Sequence, residues 1–402
     1  MSIAIERTRV TYRPTADHEE LRAMVRQLAE ERIAPRAAEI DASAEFPWDL
    51  KELLAKQDLL GTCFPTGFGG TDLDDISQAI LVEEIARADA TTSLIPIVQK
   101  LGALPILLAG SEEQQARYFP RLASGEWLAA FGLTEAGAGS DVARLRTRAR
   151  RDGDDYLLSG SKRFITHGSI ANLVSVFALT DPEAGGRKGM SAFIVETDTP
   201  GFSAPRLEHK MGIRGSPTAE LLFDEVRVPA ANRLGAEGEG FAIAMATLDR
   251  SRLSIAAQAV GIAAGAIDFA VTYAAQRQQF GERLADLQGI QFMLADMASQ
   301  AEAARQLTYA AAAAVDAGAP DLAYWTSCAK LIAGDTAMRV TTDAVQVLGG
   351  YGYVSEYPVE RMMRDAKITQ LYEGTQQIQR LIVARQLLRR AGVAHPTKPG
   401  SG

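Results

Sequence analysis

The residues with the clearest capacity for chemistry lie at positions 371–375, which read Leu-Tyr-Glu-Gly-Thr. Glu373 supplies a carboxylate able to accept a proton, and Gly374 lets the backbone approach a bound group closely. Thr375 is a predicted N-cap of the helix that follows. Residues along that helix recur at three- and four-residue spacing and predict a face packed in a core: Ile378, Leu381, Ile382 and Arg385. The alternative is a solvated acid that complements the helix dipole.

A second set of small and polar residues lies at positions 131–141, in the sequence Phe-Gly-Leu-Thr-Glu-Ala-Gly-Ala-Gly-Ser-Asp. The small residues Gly137, Ala138 and Gly139 let backbone N–H groups approach a flat ring or a phosphate. Thr134 adds a hydroxyl able to bond a ring heteroatom. Taken alone, however, the Gly-Ala-Gly run is more typical of a surface turn.

Composition excludes several classes of protein. The 402 residues predict two or three domains, and 47% hydrophobic with 23% charged residues is typical of a globular protein in water. The longest apolar runs, such as 310–315, fall far short of the roughly 20 residues of a membrane span. A net charge of −8 argues against a nucleic-acid partner. Four scattered histidines lack paired ligand spacing, so no metal is predicted.

The expected compartment is the cytoplasm. The first twenty residues lack the apolar stretch of a secretory signal, and they mix acidic residues with arginines, unlike a transit peptide. The two cysteines, Cys63 and Cys328, cannot form a disulfide framework. Both observations favour a reducing environment.

The distribution of helix and strand signals along the sequence divides the chain into three domains and a tail. We predict an N-terminal helical domain over 1–127, a β domain over 128–236, a helical bundle over 237–391 and a disordered tail over 392–402. Pro96 should kink or end a helix in the first domain. Strands with β-branched residues and turn signals are predicted at 156–158, 173–179, 191–195 and 220–228, in an antiparallel sheet or barrel. Long Ala-rich helices are predicted at 253–276, 288–315 and 322–348.

This order of domains, with four motifs, resembles the acyl-CoA dehydrogenase family over about residues 15–390. The motifs are residues 131–141, the segment Lys-Arg-Phe-Ile-Thr-His-Gly at 162–168, the segment Gln-Val-Leu-Gly-Gly-Tyr-Gly-Tyr at 346–353 continuing through Glu356, Arg361 and Asp365, and residues 371–375. Any one of them alone is weak evidence. Their order and spacing together are specific. The resemblance implies a helical domain, a central β domain and a C-terminal four-helix bundle.

The resemblance also implies FAD as the cofactor. Residues matching contacts to the flavin are Phe131, Leu133, Thr134, Phe164 and Thr166. Ser140 is expected among the cofactor-binding residues and in contact with the thioester ligand. Residues matching contacts to the rest of the cofactor, several of them to that of a neighbouring subunit, are Arg277, Phe280, Gln288, Gln346, Gly349, Gly350, Thr375 and Gln377. Phe164 stands where the family usually has Trp, and strand core is the competing interpretation for it. Arg277 is alternatively a solvated helix charge. His167, where the family often has Asn, is expected to be a polar neighbour rather than a catalytic acid.

The catalytic base occurs at two places in this family, the turn at 373 or a Glu on the helix matching 248–252. Residue 251 is Ser here, so the resemblance assigns the role of base to Glu373. Residues matching substrate contacts are Ser140, Phe241, Asp249, Arg252 and Gly374, and Ser93 and Ile97 are expected at the end of the acyl tail. Arg144 departs from the small residue usual at its position, and we expect it to face solvent.

The implied reaction is α,β-dehydrogenation of an acyl-CoA, as in fatty acid β-oxidation. Glu373 would remove the α-proton, a hydride would pass to FAD, and an electron-transfer flavoprotein would accept the electrons. The resemblance also implies a homotetramer built as a dimer of dimers. A short or branched acyl group is favoured. The alternatives are an acyl-CoA oxidase, a dehydrogenase of carrier-protein thioesters in secondary metabolism, or a non-catalytic relative.

Overall fold

The computed structural model describes residues 12–393, and its N-terminal part is helical. Its α-helices are α1 (Ala16–Leu28), α2 (Ala37–Ser43), α3 (Trp48–Lys56), α4 (Asp75–Ala88), α5 (Ala90–Ala109) and α6 (Glu112–Ala123). Four of them begin where a side chain accepts a backbone N–H of the first turn: Thr15, Asp74, Asp89 and Ser111. Helix α5 continues through Pro96 rather than ending there, because nearly all of its residues are buried and packing sustains it.

The middle part of the chain is a β-sheet. Its strands are β1 (Ala129–Gly132), β2 (Arg148–Asp152), β3 (Asp155–Thr166), β4 (Leu173–Leu179), β5 (Met190–Glu196), β6 (Phe202–Leu207), β7 (Thr218–Pro229) and β8 (Arg233–Leu234). The strand order is β6-β7-β3-β2-β4-β5-β8, with β1 pairing β4. A short helix, α7 (Gly185–Lys188), lies between β4 and β5. Most pairs are antiparallel as predicted, but β4 runs parallel to β1 and to β2, so the sheet is mixed.

The C-terminal part returns to helices. They are α8 (Gly240–Gln276), α9 (Gln288–Asp316), α10 (Leu322–Leu348), α11 (Pro358–Ala366) and α12 (Gln376–Arg390). A two-stranded hairpin, β9 (Gln278–Gln279) and β10 (Glu282–Arg283), joins α8 to α9. The domain limits proposed from sequence, 127/128 and 236/237, fall between α6 and β1 and between β8 and α8. The predicted tail lies outside the described residues from position 394 onward.

Helix α8 is the central element of the largest core. It packs against α4, α5, α9 and α10. Two glycines bring it close to α4, since a Cβ on Gly261 would lie 2.3 Å from the carbonyl oxygen of Glu83 and one on Gly265 2.2 Å from that of Arg87. This close packing fixes α8, and with it the side chains that α8 presents at the candidate site.

Two helices, α5 and α8, are long and apolar enough by length and composition to cross a membrane. In the most apolar window of each, 83% and 72% of the residues are buried inside the protein. Packing in the core accounts for that composition.

The predicted apolar face of α12 is only partly covered in the described chain, where Ile378 and Ile382 are half-buried. Its buried residues are Gln376 and Gln379, whereas Leu381 is 48% exposed and Arg385 is also exposed. Helix α12 packs on α10, and its most deeply buried contacts come from its polar first turn.

Candidate active site

The candidate site centres on the turn between α11 and α12. Glu373 has φ +54° and Gly374 has φ +90°, so both adopt the left-handed conformation. For a residue with a side chain this conformation costs of the order of 1 kcal/mol and needs support from its surroundings. The Thr375 hydroxyl accepts the N–H of Ile378 at 3.3 Å, as expected of an N-cap. Helix α12 therefore begins directly behind the carboxylate.

Two buried side chains hold the carbonyl groups of this turn. Gln379 Nε2 donates to the carbonyl oxygens of Glu373 and Gly374 at 3.1 and 2.9 Å. Lys330 Nζ, from α10, donates to the Gly374 carbonyl at 2.7 Å. The backbone N–H of Glu373 has no acceptor within residues 12–393. It is left as a free donor beside the carboxylate.

The Glu373 carboxylate contacts α8. Ser251 Oγ donates a hydrogen bond of 2.5 Å to Glu373 Oε2. Burial raises the pKa of Glu373, while the Ser251 hydrogen bond and the charges of Arg252 and Lys330 oppose that rise. The pKa stays raised, so the carboxylate is a stronger base than an exposed glutamate. The two places where the resemblance allows a base are therefore in contact in space.

Other predicted substrate residues share this stretch of α8. Arg252 is buried, and one terminal nitrogen donates to Asp249 Oδ1 at 2.5 Å. Its Nε is buried without a partner among the described residues, and so remains available to a ligand. Phe241 is half-buried at the start of α8, with the Arg187 guanidinium 5.0 Å from its ring centre.

A buried polar chain lies behind the turn. Gln258, on α8, donates to Ser93 Oγ at 3.0 Å and accepts from the Tyr372 hydroxyl, so it connects α5 to the residue before Glu373. Ile97 lies one turn beyond Ser93 on α5 and is also buried. The predicted tail residues Ser93 and Ile97 are thus buried on α5, and Ser93 is joined through Gln258 to the turn that carries Glu373.

The β domain presents a second group of predicted residues. The N–H of Arg163 donates to the Thr134 carbonyl at 2.8 Å, which places the ends of β1 and β3 side by side. The hydroxyls of Thr134 and Thr166 are half-buried and make no hydrogen bond to another described residue. Phe164 is 59% exposed with φ +59°, which rules out the strand-core interpretation for this side chain. An exposed ring beside two free hydroxyls suits a flat heteroaromatic ligand.

The residues flanking that group are fixed from behind. Leu133 is buried, and Phe131 packs edge-on against Phe177 at 5.1 Å. His167 is buried, and burial, with a contribution from Lys210, lowers its pKa to about 3. The imidazole is therefore neutral near pH 7, as expected of a polar neighbour rather than an acid.

The remaining predicted residues lie toward the outside of the chain. Phe280 is 94% exposed in the β9–β10 hairpin, and the half-buried Arg277 stacks 5.2 Å above the ring of Tyr351. The others in this group are exposed: Ser140, Gln288, Gln346, Gly349, Gly350 and Gln377. Arg144 is exposed as expected. The described chain thus brings Glu373, Gly374, Ser251, Arg252 and Asp249 together and leaves the outer group facing away from its own core.

Sequence reasoning missed Lys330, Gln258, Tyr372 and Gln379. Lys330 and Gln258 carried a usable signal, because each is a long polar side chain within a buried helical stripe of small or apolar residues. Lys330 shares its spacing with Thr326, Ala333, Ala337 and Val340, all of which are buried. A lysine at such a position implies a buried partner.

Comparison with known proteins gives one family. Models of the N-terminal, middle and C-terminal domains of acyl-CoA dehydrogenase match residues 15–126, 130–226 and 238–388. A probable acyl-CoA dehydrogenase of Mycobacterium leprae is 51% identical over 93% of this chain and 96% of its own. The cyclohex-1-ene-1-carbonyl-CoA dehydrogenase of Geobacter metallireducens is 51% identical over 91% and 96%. The structure of butyryl-CoA dehydrogenase from Megasphaera elsdenii has a TM-score of 0.91 and 44% identity, over 94% of this chain and all of that one.

Proposed function

Because the chain belongs to the acyl-CoA dehydrogenase family, we propose that it oxidises a short or branched acyl-CoA with Glu373 as the base. Membership makes it an oxidoreductase with FAD as its cofactor. The observation that carries the assignment of the base is the half-buried Glu373 carboxylate on its left-handed turn, held by Ser251 of α8.

The β domain fits a flavin. The hydroxyls of Thr134 and Thr166 are free to bond ring heteroatoms, and the exposed face of Phe164 is free to pack against the ring system. The chemistry supplied by bound FAD is acceptance of the substrate β-hydrogen as a hydride. Phe131, Leu133 and Ser140 would complete that side of the site.

Glu373 would act on the α-proton of the thioester. The proton moves to a carboxylate oxygen, and negative charge develops on the thioester carbonyl oxygen. The unpaired N–H of Glu373 and the Gly374 turn offer a donor for that oxygen. Expulsion of water by the bound acyl group would raise the pKa of Glu373 further and strengthen the base.

A short or branched acyl group fits the wall behind the turn. Gln258 bonds to Ser93 of α5 and to Tyr372 of the turn, and this buried link would close the end of the acyl site to a long tail. The similarity to a butyryl-CoA dehydrogenase and to a cyclic acyl-CoA dehydrogenase supports the same choice. Asp249, Arg252 and Phe241 would contact the CoA end, with the unpaired Arg252 Nε as one donor.

Six of the outer residues would complete the cofactor site of a neighbouring subunit in a tetramer: Arg277, Phe280, Gln288, Gln346, Gly349 and Gly350. Thr375 and Gln377 would contact the ADP part of FAD in their own subunit. An electron-transfer flavoprotein is the proposed acceptor. The alternatives are oxygen, in an acyl-CoA oxidase, and a carrier-protein thioester as substrate.

The test is an anaerobic titration of the purified yellow protein with butyryl-, isobutyryl-, isovaleryl- and octanoyl-CoA, followed by visible absorbance. We expect bleaching by one of the first three before octanoyl-CoA. Bleaching by none of them would overturn the proposed substrate class. Turnover with an electron-transfer flavoprotein and without peroxide in air supports a dehydrogenase, and stoichiometric peroxide identifies an oxidase.

A further inference from the structure

Lys330 is fully buried on α10, directly behind the catalytic turn. Its ammonium nitrogen lies 2.7 Å from the Gly374 carbonyl and 3.1 Å from Gln376 Oε1. A buried ammonium is costly unless its protons are used. Here the ammonium group donates hydrogen bonds to the turn that carries Glu373 and to the first residue of α12.

The same face of α10 braces both ends of this turn. Gln376 Nε2 donates to the Leu331 carbonyl at 2.7 Å and to Asp335 Oδ1 at 3.0 Å. Gln370, which precedes the turn, donates to the same Asp335 oxygen at 2.7 Å. Gly334 leaves room for this contact, because a Cβ there would meet Gln376 Nε2 and the Thr369 carbonyl at 3.0 Å. Helix α10 is therefore a rigid template for the turn.

We propose that Lys330 is a positioning residue of the dehydrogenation. Its ammonium group holds the Gly374 carbonyl toward α10, which keeps Glu373 in the left-handed conformation. In that conformation the carboxylate reaches Ser251 and the Glu373 N–H stays free for the thioester carbonyl. The ammonium also supplies positive charge close to the base. This role rests on the proposed function of Glu373.

Electrostatics supports the geometry. Burial lowers the pKa of Lys330 to about 7, while Glu373 and Asp335 oppose that decrease and Arg252 adds to it. The positive charge of Lys330 in turn lowers the pKa of Glu373 and so offsets part of the rise that burial causes. Loss of the lysine charge should therefore raise the pKa of Glu373. The rate of proton abstraction falls at low pH as Glu373 is protonated, and this part of the pH profile, the acid limb, should move to higher pH.

The experiment measures proton abstraction apart from hydride transfer. The holoenzyme is first reduced with dithionite, so that its flavin accepts no hydride, and exchange of the α-hydrogens of butyryl-CoA in deuterated buffer is followed by proton NMR between pH 5.5 and 9. The variants are Lys330→Met, which removes both charge and hydrogen bonds, and Lys330→Gln, which removes the charge and keeps a donor. Lys56→Met, at the exposed end of α3, is the matched control.

For both Lys330 variants we expect the acid limb to move up by about one pH unit. For Lys330→Met we also expect the plateau rate to fall about tenfold or more, because the turn loses its support. Lys56→Met should match the parent. Flavin content and melting temperature, measured on each variant, separate a folding defect from a positioning defect.

Two results overturn the proposal. One is a Lys330→Met protein with the parent plateau and the parent acid limb. The other is a Lys330→Met protein that has lower flavin content or stability but whose α-hydrogen exchange has its acid limb at the parent pH. Such a result indicates a purely structural role for Lys330. A parent that exchanges no faster than Glu373→Gln would instead refute Glu373 as the base.

Discussion

Ser251→Ala removes the hydroxyl that donates a 2.5 Å hydrogen bond to Glu373 Oε2. A hydrogen bond to a charged group contributes about 1.5–3 kcal/mol, which corresponds to about one to two pKa units. The bond favours the ionised carboxylate, so its loss raises the pKa of Glu373. Because the base acts in its deprotonated form, the variant should lose activity at a higher pH than the parent.

The assay is the pH dependence of kcat/KM for butyryl-CoA with a dye as electron acceptor. We expect the acid limb of the Ser251→Ala profile to lie about one to two units above that of the parent, with a smaller difference on the plateau. The control is Ser254→Ala, about one turn further along α8, where the serine is buried and the hydrogen bond to the Glu373 carboxylate comes from Ser251 instead. An acid limb that stays at the parent pH, in a variant that keeps its FAD and its stability, would refute the reasoning.

Three further predictions follow from the packing. Gly261→Val should lower the free energy of unfolding, measured in urea, by about 2 kcal/mol, because the valine side chain would meet the Glu83 carbonyl. The control Gly289→Ala has open space around the new methyl group and should change the free energy of unfolding by less than about 1 kcal/mol. Ser251→Glu combined with Glu373→Gly should recover part of the kcat lost in Glu373→Gly alone, and no recovery would contradict the contact between the two positions. Gln258→Ala should raise the ratio of kcat/KM for octanoyl-CoA to that for butyryl-CoA about tenfold, and an unchanged ratio would remove Gln258 from the tail wall.

Features of the fold that depend on local sequence were predictable. The strand at Leu173–Leu179 and the helix at Leu322–Leu348 have their predicted bounds, because turn residues and glycines mark their ends. The turn at Glu373 was also predicted, since Gly374 and the cap at Thr375 are adjacent in sequence. Helix α5 does not end at Pro96, because burial of the helix outweighs one lost hydrogen bond.

Features that depend on contacts between distant residues were not predictable. The bond between Ser251 and Glu373 joins residues 122 positions apart, and the bond from Lys330 to the Gly374 carbonyl spans 44. The face of α12 was predicted only in part, because periodicity shows that a stripe is apolar and does not show which surface covers it. Leu381 therefore stays exposed in the described chain.

The most direct test of the central claim is the rate of flavin bleaching by butyryl-CoA in Glu373→Gln, measured anaerobically by rapid mixing. The amide keeps the size of the side chain and cannot take the α-proton, so we expect bleaching at least about a hundredfold slower than in the parent. FAD content and the Kd for butyryl-CoA should stay close to the parent values. Bleaching at the parent rate would contradict the assignment of Glu373 as the base.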